Sequence, residues 1–348
     1  MKILALDLGK FKTVGCQYDT HTGDVSYTKV KMAPFIIHQL FTGRRPDRIV
    51  FEIGPAAGWV HDIAEGFGVE IQVANPNGEG WRWRNTKRKT DRMDALKLAK
   101  LSAADQLPTV YVPSRPVRQR RSLIAYRHAL VARRTRVKNR IRSILHGEGL
   151  PVPVGAKGWT QTSLQRLREW ACPMEEATAA ELWPGELYEE LESLEQAESR
   201  LLRVEKTLGV LNRSDKRVQQ LQTIPGVGPR TAEALVATID NPHRFQCGKQ
   251  VGSYVGLVPR LFESGKTSHD GRITCQGNKI LRTLLVEASW VALRYNPWLR
   301  RVYERVKGGS RKRSKIAIVA VARRLLVTAW AMLRDETPWR MPTSIAQT

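Results

Sequence analysis

The chain has 348 residues, 42% of them hydrophobic, which supports two or three cored domains and excludes disorder as the default state. Its 57 Lys and Arg against 33 Asp and Glu leave a net charge of +24 at pH 7, which points to a polyanionic partner, nucleic acid before any other. No stretch reads as a membrane span, Met1-Lys2 leads into an acid-bearing strand rather than a secretory leader, and Cys16, Cys172, Cys247 and Cys275 lack the spacing of a zinc site, so reduced thiols in the cytoplasm are expected.

The N-terminal segment alternates short apolar runs with turn signals. Residues 3–8, 13–18 and 25–30 read as strands, the last two joined as a hairpin through Asp19-Thr20-His21-Thr22-Gly23-Asp24. A helix is predicted over residues 34–41, a strand around Glu52, a helix over 57–67 and a strand over 69–73. Three strands, helix, strand, helix, strand is the order of an RNase H-like α/β fold. Two acids interrupt the strands: Asp7 in Ile3-Leu4-Ala5-Leu6-Asp7-Leu8-Gly9, and Glu52 in Ile49-Val50-Phe51-Glu52-Ile53-Gly54. A carboxylate in an apolar run is costly to bury unless it is paired or binds metal. Asp91 and Asp94 open the next helix behind a capping Thr90, and their spacing puts them on one face. First-turn acids are common and would explain either of those two alone; they do not explain Asp7 and Glu52. Four such carboxylates suit one or two Mg²⁺, a hard cation that takes oxygen ligands and substrate phosphates.

Charge is segregated along the middle of the chain. Residues 82–142 hold nineteen Lys or Arg against three Asp, a net of 19 − 3 = +16, whereas residues 175–205 hold ten Glu against two Arg, a net of −8. Arg82, Arg84, Lys87, Arg88, Lys89, Arg133, Arg134 and Lys138 are therefore candidate nucleic-acid contacts, and Trp81 and Trp83 candidate stacking residues. Leu123, Leu130, Val137 and Ile144 recur every seven residues along a long helix after the Pro113–Pro116 break. Leu187, Leu191, Leu194, Leu201 and Leu208 form a second heptad pattern. A coiled-coil region is expected, its basic and acidic helices pairing within one chain or between copies, with a homo-oligomer (dimer or tetramer) favoured. Residues 159–183 carry no clear pattern.

From Gln219 the chain is mainly helical. Ile224-Pro225-Gly226-Val227-Gly228-Pro229-Arg230 reads as a glycine hairpin entering a helix, a helix-hairpin-helix-like element that can present backbone N–H groups, with Gly226, Gly228 and Arg230, to a phosphate. A polar, glycine-punctuated stretch over residues 245–278 contains Arg260, Ser264 and Lys266; no His/Asp relay is evident around the serine. Two apolar helices, 280–295 and 316–332, flank a basic loop with Arg311, Lys312 and Arg313. The chain is divided accordingly into residues 1–112 with the acids, 113–212 with the coiled coil, and 213–340. A sugar-kinase-like reading of Asp7-Leu8-Gly9 needs a second glycine phosphate loop after a strand, and Gly226-Val227-Gly228 follows no clear strand.

The D…E…DxxD pattern, the coiled-coil insertion, TIPGVGPRTAEALV, GLVPR…SGK…GNKILRTLL and AVARRLLVTAWAML together resemble the insertion-sequence one-ten family of DEDD transposases, relatives of the Piv DNA invertases, nearly end to end. That resemblance implies a RuvC-like Mg²⁺ site at Asp7, Glu52, Asp91 and Asp94. It also implies a nucleophilic serine at Ser264 that links covalently to a DNA phosphate. Glu263 stands where many members carry a first serine; Ser264 is the expected nucleophile, with Ser268 and Ser253 as lesser substitutes. Kinship further implies a structured bridge RNA that pairs with donor and target duplex DNA. The acid and serine sites are then expected to converge, within one protomer or across a dimer interface. Two other readings remain at this point: a RuvC-like Holliday-junction nuclease using metal-activated water, and a non-enzymatic architectural DNA-binding protein. The expected setting is the cytoplasm, at the nucleoid.

Overall fold

The computed structural model describes residues 1–76, 78, 90–264 and 267–341, with the backbone alone for 261, 263, 264 and 267–270. Two units divide it, Met1–Arg118 and Gln119–Thr348.

In the first unit, β1 (Lys2–Leu8), β2 (Lys12–Asp19), β3 (Val25–Lys31), α1 (Pro34–Arg44), β4 (Arg48–Glu52), α2 (Ala57–Glu65) and β5 (Glu70–Ala74) follow in the expected order. They build a five-stranded mixed sheet ordered β3-β2-β1-β4-β5, antiparallel across β1–β2–β3 and parallel across β1–β4–β5. This arrangement is compatible with an RNase H-like domain. Side chains alternate between sheet faces along a strand. Leu4, Leu6, Ile49 and Phe51 pack with Ile37, Leu40 and Phe41 of α1 and Ala57 and Val60 of α2. The opposite face carries Ile3, Ala5 and Val50, packed with Leu98 and Ala99 of α3 (Asp91–Ala103).

The second unit takes most of α4 (Arg115–Gly147) and then α5 (Gln161–Glu169), α6 (Trp183–Ser214), α7 (Lys216–Gln222), α8 (Pro229–Ile239), α9 (Gly248–Val255), β6 (Pro259–Ser264), β7 (Thr267–Ile273), α10 (Lys279–Tyr295), α11 (Pro297–Lys307) and α12 (Ser314–Asp335). The two heptad helices pair within the chain, antiparallel. Val137, Ile141 and Ile144 meet Leu187, Leu191 and Leu194 at one end, and Ile124 and Leu130 meet Leu201, Val204 and Leu208 at the other. Ile124, rather than Leu123, is the fully packed residue at the start of α4, because 3.6 residues per turn drift against a seven-residue repeat. Leu167 of α5 and the half-buried Trp159 and Trp183 close the far end, which gives the unpatterned segment a place. The acids that offset the basic helix come from later in the chain: Arg127–Glu205 at 2.7 Å, Lys138–Glu198 at 3.1 Å and Arg140–Glu186 at 2.6 Å.

Three sequence expectations change in the C-terminal part. The polar stretch 245–278 folds into α9 and an antiparallel β6–β7 hairpin, and α11 stands between the two apolar helices, with Trp298, Leu299, Val302 and Tyr303 buried. The expectation that no segment is long and apolar enough to span a membrane also falls. The helix Arg311–Asp335 meets that test by length and composition. Its apolarity has another cause, since Ala317, Ile318, Val321, Leu325, Leu326, Ala329 and Leu333 form the centre of the C-terminal core with Leu235, Val251, Leu281 and Leu285. A helix apolar all round is a core helix when neighbours bury it on several sides.

Candidate functional site

The sheet register brings the two strand acids together. β1 and β4 pair in parallel up to Leu6↔Phe51, so the next residue on each strand, Asp7 and Glu52, falls at the carboxyl ends of two adjacent strands. Both are half-buried. By alternation Asp7 shares a face with Ile3 and Ala5, and Glu52 with Val50, the face that α3 covers. In open α/β sheets the crevice outside the carboxyl ends of the strands is where ligands bind.

The first turn of α3 reaches the same place. Thr90 caps the helix, its hydroxyl accepting from the Met93 N–H at 3.3 Å. Ala95 packs on Val14 and Cys16 of β2, and Val14 is the cross-strand partner of Asp7. Asp94, immediately before Ala95, is 8% exposed, and Asp91 lies one turn earlier at the solvent edge. Two local features hold the β1 end in place. Buried Thr13 donates from Oγ1 to the Asp7 carbonyl at 2.6 Å. Gly9 takes a turn in which a Cβ would stand 2.4 Å from the Lys12 carbonyl oxygen, an approach only glycine permits. Nearby, burial pushes the Cys16 thiol up to about 11, with Lys100 pulling weakly the other way, so this cysteine is a packed core residue.

Carboxylate oxygens are the donors that a hard divalent cation such as Mg²⁺ takes, so Asp7, Glu52, Asp91 and Asp94 offer the right ligand type, although among the described residues no three of these four bring oxygens within 4.8 Å of one another. The sequence reading missed a second grouping. His61, Asp62 and Glu65 on α2 have ligand atoms within 4.8 Å of one another. There the Asp62 carboxylate accepts from Arg118 at 2.5 Å, so its charge is already matched by an arginine. Sequence spacing alone reads these residues as a solvated helix face, and α2 lies on the sheet face away from α3.

In the second unit, α7 and α8 flank a turn over residues 223–228. Gly226 has φ +96 and sits where a Cβ would come 2.5 Å from the Ala292 Cα of α10; Gly228, the N-cap of α8, faces open space. Arg230 bonds Glu233 at 3.3 Å. Ser264 is the last residue of β6, its backbone paired with Thr267 of β7. Its side chain, with those of Glu263 and Ser268, lies outside the described residues, as do Trp81, Arg82, Trp83, Arg84, Lys87, Arg88, Lys89 and Lys266 altogether. Among the described basic candidates, Arg133, Arg260, Arg311, Lys312 and Arg313 are exposed, as is Ser253. Arg134 borders a cleft shared with Glu195, Glu198 and Glu205, and Lys138 lies 4.7 Å over the Trp159 ring.

Comparison with known proteins adds an independent line. The model of the transposase IS116/IS110/IS902 family matches residues 218–304, and a transposase model of the IS110 DEDD type matches residues 5–148, the span that holds all four acids. The chain is 29% identical to the transposase for insertion sequence element IS1111A of Coxiella burnetii, over 98% of this chain and 92% of that protein. It is 27% identical to a probable family 20 transposase of Pseudomonas aeruginosa, over 97% and 98% of the two chains. The pilin gene-inverting protein of Moraxella lacunata is 33% identical over 35% of this chain and 38% of its own length.

Proposed function

The chain belongs to the IS110/IS116/IS902 transposase family and is a DNA recombinase; from that premise we propose that it cuts and rejoins DNA through a covalent serine intermediate assisted by Mg²⁺. The observation that supports the metal half is the Leu6↔Phe51 register, after which Asp7 and Glu52 are the next residues on two adjacent parallel strands. Asp7, Glu52, Asp91 and Asp94 would hold one or two ions. Such an ion would supply charge neutralisation at the phosphate.

The Ser264 hydroxyl attacks the scissile phosphorus, forming a serine–phosphate bond to the 5′ side as the P–O3′ bond breaks. The serine proton goes to a nearby base and the leaving 3′ oxygen takes one up, which makes a free 3′-hydroxyl. On rejoining, a 3′-hydroxyl attacks the phosphoserine phosphorus and the serine oxygen leaves, regaining its proton. Each phosphodiester broken is thereby conserved, with no external energy source. Arg260, exposed in the same strand as Ser264, is the proposed phosphate contact. Residues 1–112 are assigned to the metal, 113–212 to the helical hairpin and 213–340 to the serine chemistry. Donor and target duplexes are the substrates; a bridge RNA is the proposed guide, and the cytoplasm, at the nucleoid, the proposed setting. Support for an oligomer no longer comes from the heptads, since these pair within one chain.

One pair of substitutions tests the proposal. Ser264→Ala is expected to abolish covalent protein–DNA adducts on a nicked suicide substrate while duplex binding persists. Asp7→Ala is expected to abolish the Mg²⁺-dependent step. Undiminished strand exchange by the serine variant overturns the covalent mechanism, and activity without divalent metal overturns the acid site.

A further inference from the structure

The outer stripe of α10 carries a large aromatic residue where a solvated helix face would place a polar one. Trp290 is 46% exposed, yet it is not loosely held: its ring packs edge-on to Tyr303 of α11, with centroids 5.9 Å apart and planes at 62°. Tyr303 is itself only 7% exposed, so the contact anchors the indole to the core. Cations lie on the same two helices and just beyond them. The Lys307 ammonium lies 5.6 Å from the Tyr303 ring centre, the Arg313 guanidinium would stand 3.6 Å from a Cβ added at Gly308, the residue after Lys307, and Arg294 is exposed one helical turn beyond Trp290. Two acids are close: Glu304 pairs with Lys307 at 3.7 Å, and Glu287 is exposed three residues before Trp290. The cations outnumber them.

We infer that Trp290 is a stacking platform for an unpaired base of single-stranded DNA, with Arg294, Lys307 and Arg313 drawing in the backbone. Every base has a π-face, so an anchored aromatic with basic residues on its own and the adjoining helix suits single strands with little sequence preference. A duplex hides those faces inside its stack. A second copy of the chain is the competing occupant, because aromatic residues and arginine are also enriched at protein interfaces, and size exclusion reads it out. The inference rests on the recombinase reading only in its choice of DNA, since strand exchange exposes unpaired bases.

The test uses the full chain and fluorescence anisotropy with labelled oligo(dT), oligo(U) and a duplex of equal length. Trp290→Ala is expected to weaken oligo(dT) binding by about tenfold to a hundredfold. Duplex affinity, the salt dependence of binding and the melting temperature should stay unchanged, and Trp290→Tyr should retain most of the affinity. Unchanged oligo(dT) binding by Trp290→Ala overturns the inference, as does an equal loss on duplex or a shift of the variant to a smaller species on size exclusion. Tighter binding of oligo(U) than oligo(dT) by the wild type overturns the assignment to DNA. Asp7→Ala should bind oligo(dT) as the wild type does, so failure of the catalytic reading is scored separately.

Discussion

The side-chain amide of Asn212, at the end of α6, donates to the carboxylate of Glu233, which is 1% exposed in the middle of α8. Arg120 donates to the Asn212 carbonyl oxygen at 2.9 Å and to Asp215 at 2.6 Å, so one polar chain ties α4, α6, α7 and α8 together behind the glycine turn. A buried carboxylate that loses a donor retains its desolvation cost. Asn212→Ala is therefore expected to destabilise the second unit by about 2–4 kcal/mol in chemical denaturation. Val210→Ala, at an exposed position on the same helix, should fall within about 0.5 kcal/mol of wild type. Equal effects from the two would deny the network a structural role.

Asp215 gives the same network a pH signature. Burial alone would raise its pKa, but hydrogen bonds and charge from Arg120 and Arg217 outweigh burial and hold it below the ordinary carboxylate value. A depressed folded-state pKa contributes stability above the unfolded-state pKa, about 4, and loses it as pH falls through the folded value. Wild type should accordingly be more stable than Asp215→Asn at pH 7, with the gap closing below about pH 4. A gap that persists at pH 2 would assign the effect to packing.

The two glycines of the α7–α8 turn should behave differently. Gly226→Ala puts a methyl into the α10 backbone from a left-handed conformation, so a loss of about 2–4 kcal/mol is expected. Gly228→Ala meets open space at φ −86 and should leave the melting temperature nearly unchanged. If the turn carries phosphate, duplex binding by Gly228→Ala falls without loss of stability.

Metal binding can be read without any reaction. Ligands that bind the folded state raise its stability by RT ln(1 + [L]/Kd), about 2.7 kcal/mol at a hundredfold excess over Kd. Mg²⁺ should raise the melting temperature of wild type and much less that of Asp7→Asn or Glu52→Gln. The melting temperature of each protein without Mg²⁺ is the reference from which its own shift is read. An equal Mg²⁺ shift in all three proteins would place the ion elsewhere, and His61, Asp62 and Glu65 are then the residues to substitute.

The sequence by itself determined the elements of the first unit and the four acids. Asp7 and Glu52 declare themselves because a charge inside a period-two apolar run has no cheap burial, and Asp91 and Asp94 because their spacing and the Thr90 cap are local rules. It also determined which family the chain resembles. The tertiary structure decided what depends on partners distant in sequence. The nearness of Asp7 to Glu52 is a matter of parallel register across a crossover helix. The pairing of α4 with α6 within one chain could not be told from pairing between copies, since heptads specify a seam and not whose helix fills it. The apolar helix α12 reads like a span until its neighbours in the core are known. The β6–β7 hairpin escapes detection because residues 259–273 are polar and glycine-punctuated, and their strands are held by backbone pairing rather than by an alternating apolar face. Local chemistry is written in neighbouring residues; which surface meets which is written only in the fold.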